Sequence, residues 1–88
     1  MYDWDDLRVF LAVARAGSLA GAAQRLGIDA ATVGRRLARL ETALKSTLFV
    51  RSPGGVQLTA AGSRLSAAAT EAEGAMGAGA HVAEPSVV

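Results

Sequence analysis

Three arginines, Arg35, Arg36 and Arg39, carry most of the chemistry this chain could do. At about 100° per residue on a helix, Arg35 and Arg39 project to one side, with Ala31, Thr32 and Thr42 near them and Arg36 at their edge. A guanidinium is permanently charged and offers a planar fork of donors suited to phosphate oxygens or to the edge of guanine. An isolated basic face is more often simply solvated, so the neighbouring elements decide its meaning. No other residue type competes for a chemical role. The single histidine, His81, falls in an expected tail, and there are no cysteines, hence neither thiolate chemistry nor a His/Cys metal cluster. Asp3, Asp5 and Asp6 are expected as solvated charges at a helix start, where the positive end of the dipole favours them. Gly54-Gly55 does not lead from a strand into a helix, as a phosphate cradle requires. These features argue against an enzyme and indicate no cofactor and no metal.

The arginines need a helix with an opposite face to bury. Val33, Leu37, Leu40 and Leu44 supply that stripe, and Asp29 is the expected N-cap of a helix over residues 29–45. Before it, Leu7, Phe10, Leu11 and Ala14 predict a core-facing first helix, with Tyr2 and Trp4 as a packed lid at its start and Gly17 as its stop. Ser18 caps a short second helix whose Leu19, Ala22, Ala23 and Leu26 face inward; Gly27 ends it, and Ile28 is expected as a buried anchor in the turn. Two helices joined by a short glycine-containing turn, the second with a basic polar face, form a helix-turn-helix pattern. Beyond Lys45 the period changes. Leu48-Phe49-Val50-Arg51 and Val56-Gln57-Leu58-Thr59 read as two strands joined at Ser52-Pro53-Gly54-Gly55, a hairpin placed as a wing with Arg51 at its base. Thr59 caps a fourth helix whose first turn Gly62 weakens. The expected fold is mainly α: a winged helix-turn-helix over residues 1–62 (three helices, then a two-stranded wing), a linker helix over 63–78 and a flexible tail over 79–88. Leu65, Ala69, Ala72 and Met76 make a heptad-like seam on the linker helix, suited equally to packing on its own domain or to pairing two chains.

Composition limits the size of the core. Of the apolar residues, which make up 51% of the chain, 20 are alanine, and nearly all the larger ones lie at or before Leu65. Charge is informative only when divided: residues 1–29 sum to −1, residues 30–64 to +5 and residues 65–88 to −3. A basic centre between acidic ends suits a polyanionic partner better than the total of +1 suggests. There is neither a basic-then-apolar leader nor a long apolar run, so no membrane partner is expected and the expected location is the cytoplasm, on the nucleoid when bound.

Leu7-Arg8-Val9-Phe10, Val13-Ala14, Gly17-Ser18-Leu19, Ala22-Ala23, Leu26, the core from Val33 to Glu41, Leu48-Phe49-Val50-Arg51 and Leu58-Thr59-Ala60-Ala61-Gly62, in this order and spacing, closely resemble the N-terminal domain of LysR-type transcriptional regulators. The resemblance covers roughly residues 4–65. It implies sequence-specific double-stranded DNA binding by a dimer on two half-sites, with the third helix in the major groove and the wing beside the minor groove. It places Ala30, Ala31 and Arg35 at the bases. Ser18, Thr32, Gly34, Arg36 and Arg39 lie on the phosphate backbone, and Arg51, Ser52, Pro53, Gly54 and Gly55 form the wing. Leu65, Ala69, Ala72 and Met76 become the homodimer interface. Four to six phosphate contacts per subunit imply steep salt dependence. Three positions depart from the family pattern. Ala30 stands where glutamine is usual and can only touch a thymine methyl. Gly34 stands where serine is usual, either admitting a closer backbone approach or as a tolerated drift. Lys45 stands where glycine is usual, which puts a left-handed cap in doubt. The family's effector-binding domain is missing from these residues, so no small-molecule effector is expected, and the chain reads as an excised domain or a short relative. The competing reading is an interaction module that pairs with a full-length relative and inhibits it.

Overall fold

Side-chain caps set the helix boundaries. The computed structural model describes residues 3–82, apart from the side chains of residues 73 and 75–82. Along them run α1 (Trp4–Ala16), α2 (Leu19–Leu26), α3 (Ala30–Leu44), β1 (Phe49–Ser52), β2 (Gly55–Leu58) and α4 (Ala60–Val82). Asp3, Ser18 and Asp29 accept the backbone N–H groups of Asp6, Gly21 and Thr32 at 3.1, 3.0 and 2.7 Å, and the Thr59 hydroxyl accepts that of Gly62 at 3.0 Å. Each satisfies a donor that a helix start leaves open, worth about 1 kcal/mol. Gly17 and Gly27 close α1 and α2 in the left-handed conformation. At the end of α3, Lys45 adopts the same conformation (φ 53°, ψ 40°). The left-handed cap therefore forms without glycine, at a backbone cost of about 1–2 kcal/mol.

Three helices enclose the core. Phe10, Leu11 and Val13 of α1, Ala22 and Ala23 of α2, and Val33, Leu37 and Leu40 of α3 are buried together with Leu48 and with Ala69 of α4. The two alanines keep α2 close to its neighbours. Ile28 is not the expected buried anchor: it is 37% exposed. The reversal at Gly27 lets the N–H groups of Gly27 and Ile28 share the Ala23 carbonyl, which leaves the isoleucine on the rim of a surface hollow with Val9 and Leu26.

The wing is an antiparallel pair with Phe49 opposite Leu58 and Ser52 opposite Gly55, so Pro53 and Gly54 form a two-residue turn. Leu48, expected to begin the strand, precedes it: its side chain is in the core and its N–H donates to the Glu41 carboxylate at 2.7 Å. Phe49 packs on Phe10 with ring centroids 5.2 Å apart. The Val56 N–H donates to the Gly17 carbonyl at 3.0 Å, tying β2 to the turn between α1 and α2. Gly55, at φ 138°, lies so close to that carbonyl that a Cβ would collide with it.

The fourth helix begins before, and runs beyond, the expected residues 63–78. Gly62 in its first turn answers a steric need, since a Cβ there would strike the Leu48 carbonyl. Ala69 is buried in the monomer's core and Leu65 packs against it, whereas Ala72 is exposed. The seam expected to pair subunits is thus committed within one chain at its first two positions. The side chains of Met76 and His81, with residues 83–88 and Tyr2, lie outside the described residues. Among the described residues no helix is long and apolar enough to cross a membrane.

Candidate nucleic-acid interface

The leading turn of α3 is ordered from its cap. The Asp29 carboxylate accepts the Thr32 N–H, and the Thr32 hydroxyl accepts Arg35 Nη2 at 3.0 Å. The bond from the Thr32 amide, reinforced by the Thr32 hydroxyl, holds the Asp29 carboxyl below its ordinary range. Ala30, Ala31 and Arg35 are exposed around this turn. Thr32, Arg35, Arg36 and Arg39 line one open hollow of about 340 Å³. Three guanidiniums and a hydroxyl around one recess can accept an anion, and no carboxylate lines it.

Behind the hollow lies a carboxylate that local sequence patterns do not reveal as a partner. Asp6 is fully buried. Its two oxygens accept Arg39 Nε at 2.8 Å and Nη2 at 2.9 Å, and Arg36 Nη1 at 3.3 Å. Burial pushes the Asp6 carboxyl up, but hydrogen bonds from Arg39, the Asp3 backbone and Arg36 outweigh it and hold the group below its ordinary value. Reciprocally, Asp6 pushes the Arg39 guanidinium up. Asp5 lies 4.0 Å from Arg36 and Asp3 lies 3.7 Å from Arg39. The aspartates expected as a solvated helix start are therefore part of the arginine site, and the buried one organises it. Asp3 and Asp6 also form a capping box. Their three-residue spacing could have signalled that box, but not the contacts to α3, which span 30 and 33 residues of chain.

On the other flank of α3, Gly34, Leu37, Ala38, Phe49 and Arg51 border a groove of about 180 Å³ between helix and wing. A Cβ at Gly34 would meet nothing within 4 Å, so nothing in the chain's own packing requires glycine there. Arg51, Pro53 and Gly54 are exposed, while Ser52 and Gly55 are half-buried. Ser18 is occupied as the cap of α2, its Cβ close to where a Gly55 side chain would stand. The structure brings Thr32, Arg35, Arg36 and Arg39 together at one recess and sets Gly34 beside Arg51 across the groove.

Residues 4–63 match the family model described as a bacterial regulatory helix-turn-helix protein of the lysR family. An uncharacterized HTH-type transcriptional regulator of Mycobacterium tuberculosis is 50% identical over 54 residues, which is 61% of this chain and 17% of that protein. The HTH-type transcriptional activator AllS of Salmonella typhimurium is 45% identical over 65 residues, 74% of this chain and 21% of its own. Among solved structures, the LysR family transcriptional regulator CbnR superposes with a TM-score of 0.84 at 33% identity, over 93% of this chain and 28% of that one. The DNA complex of the CbnR DNA-binding domain superposes with a TM-score of 0.83 at 33% identity, over 93% of this chain and 94% of that one. The chain spans about a fifth of the length of the curated relatives it matches.

Proposed function

The chain belongs to the LysR family of bacterial regulatory helix-turn-helix proteins, a family of transcriptional regulators and not of enzymes, and we propose that it binds double-stranded DNA with sequence preference through α3 and the wing. The observation that carries this reading is the recess formed by Thr32, Arg35, Arg36 and Arg39 on the exposed side of a helix that Val33, Leu37 and Leu40 fix to the core. The N-terminal turn of α3 enters the major groove, with Ala30 and Ala31 against the bases and Arg35 making the bidentate contact to guanine. Thr32, Arg36 and Arg39 hold phosphates, Gly34 admits the backbone close to a strand, and Ser18 lies at the backbone beside the wing. Arg51, Ser52, Pro53, Gly54 and Gly55 flank the minor groove. Arg35 fits base reading best because its hydrogen bond goes to a hydroxyl and Asp29 acts on it only at longer range, so the fork can turn to a base without breaking a hydrogen-bonded ion pair. Two subunits pair through α4 beyond Ala69, where Ala72 is exposed.

A random-site selection followed by fluorescence titration of the selected duplex tests the reading. Arg35→Ala should weaken the selected site and relax preference at one base position, a loss of about 1–3 kcal/mol in discrimination. Equal loss on selected and random duplex would remove Arg35 from the reading role.

A further inference from the structure

We propose that Asp6 is a positioning residue for DNA binding: from the buried start of α1, its carboxylate sets the guanidinium of Arg39, and secondarily that of Arg36, in the orientation that meets backbone phosphate. The inference rests on the reading of α3 as the DNA-facing helix. A guanidinium has a side edge (Nε with Nη2) and an end edge (Nη1 with Nη2), and its donors lie in one rigid plane. Asp6 takes the side edge of Arg39 at 2.8 and 2.9 Å and leaves Nη1 without a partner among the described residues. With the side edge anchored to a fully buried carboxylate, the end edge is the one left for a ligand, and Arg39 lines the recess shared with Thr32, Arg35 and Arg36. Asp3, at 3.7 Å from Nη2, is too distant for a hydrogen bond and leaves that edge open to phosphate. An arginine so fixed has already lost the side-chain freedom that a free one surrenders on binding.

The experiment is a double-mutant cycle on the full chain, with a labelled random-sequence duplex as probe and thermal unfolding as the fold control. Moderate salt is used because removing a carboxylate also adds positive charge, and screening suppresses that long-range gain. Asp6→Asn is expected to weaken binding by about 2- to 10-fold, the range set by re-immobilising one long side chain. The same substitution should have a smaller effect in an Arg39→Ala background, where only the 3.3 Å contact to Arg36 is left to lose. Arg39→Lys keeps the charge but cannot bridge the carboxylate and a phosphate through one rigid plane, so it should lose a comparable factor even if Asp6→Asn does not fold. Loss in Arg39→Ala with none in a folded Asp6→Asn overturns the positioning role alone, as does an Asp6→Asn loss that is undiminished without Arg39. Unchanged binding in both Arg39→Ala and Arg35→Ala overturns the DNA reading of α3 and the positioning role with it.

Discussion

Two adjacent glycines at the wing should respond to the same substitution in opposite senses. Gly55 has φ 138°, and an added Cβ would run into the Gly17 carbonyl. Holding a non-glycine residue in that region costs about 1–3 kcal/mol. The obstacle is backbone, so it cannot swing aside; relief requires β2 to lift away from the turn between α1 and α2. Lifting breaks the 3.0 Å bond from the Val56 N–H to the same carbonyl, worth about 0.5–1.5 kcal/mol net. Gly55→Ala should therefore cost roughly 2–4 kcal/mol in total. For a domain of this size that corresponds to a melting temperature lower by about 10–25 °C. Gly54 has no positive φ, and a Cβ there meets nothing within 4 Å. Gly54→Ala should gain about 0.4–1 kcal/mol by restricting the unfolded chain. Far-UV circular dichroism melts of both variants check the signs, and hydrogen exchange at the Val56 amide locates the damage. A Gly55→Ala protein melting within two or so degrees of the parent, with Val56 still protected, would refute the docking of the wing on Gly17.

Three further outcomes follow from the site. Because the Asp6 carboxyl is held below its ordinary value of 3.8, its contribution to stability is intact above that pH and is lost as pH falls through the lower folded value. Denaturant unfolding across the acid range should show a limb that Asp6→Asn flattens. Gly34→Ala should raise stability by about 1 kcal/mol, since the added methyl meets open space in a helix interior. If the backbone at Gly34 approaches DNA closely, the same variant should weaken duplex binding in titration while melting higher. Ala72→Glu should shift the sedimentation of the chain toward the monomer and, at concentrations low enough for the parent to be monomeric too, should melt with the parent, as befits an exposed position outside the core; a Leu65 variant would lose stability even there and could not separate the two effects.

Most of the scaffold was readable because its determinants are local. The caps Ser18 and Asp29, the stops Gly17 and Gly27, and the stripe Val33, Leu37, Leu40 act within a turn or two of chain, and each is in place in the fold. Some of the failures are local reversals of the chain and the others are tertiary contacts. Ile28 has the hydrophobicity of a core residue, but the Gly27 reversal turns it outward. Gly62 looks like a weak helix position until the Leu48 carbonyl is found against it. Lys45 lacks the residue type that a left-handed cap prefers, yet the bonds from its N–H to the last turn of α3 hold it there. Asp6 was indistinguishable by type from Asp3 and Asp5, and only the packing of α1 on α3 separates a buried anchor from solvated neighbours.

That distinction alters the electrostatics expected of the interface. Counting along the chain assigns the segment from residue 30 to residue 64 a charge of +5 and suggests a largely unopposed basic face. In space, Arg36 and Arg39 face Asp3, Asp5 and Asp6, with Arg8 bonded to Asp5 at 3.0 Å, so three arginines meet three aspartates. The salt dependence of duplex binding comes from mobile cations released by the DNA for each phosphate neutralised, at about 0.9 per phosphate. A phosphate that meets Arg39 also approaches Asp3 and Asp6, whose charge opposes the neutralisation. Its contribution to the slope should fall below that of a phosphate meeting an arginine without a carboxylate partner. Arg35→Ala should therefore lower the slope by about 1 if its guanidinium also reaches a phosphate, and Arg39→Ala by less. Equal decrements in a salt titration of the two variants would mean that the aspartates are displaced from Arg39 on binding and screened by solvent in the complex.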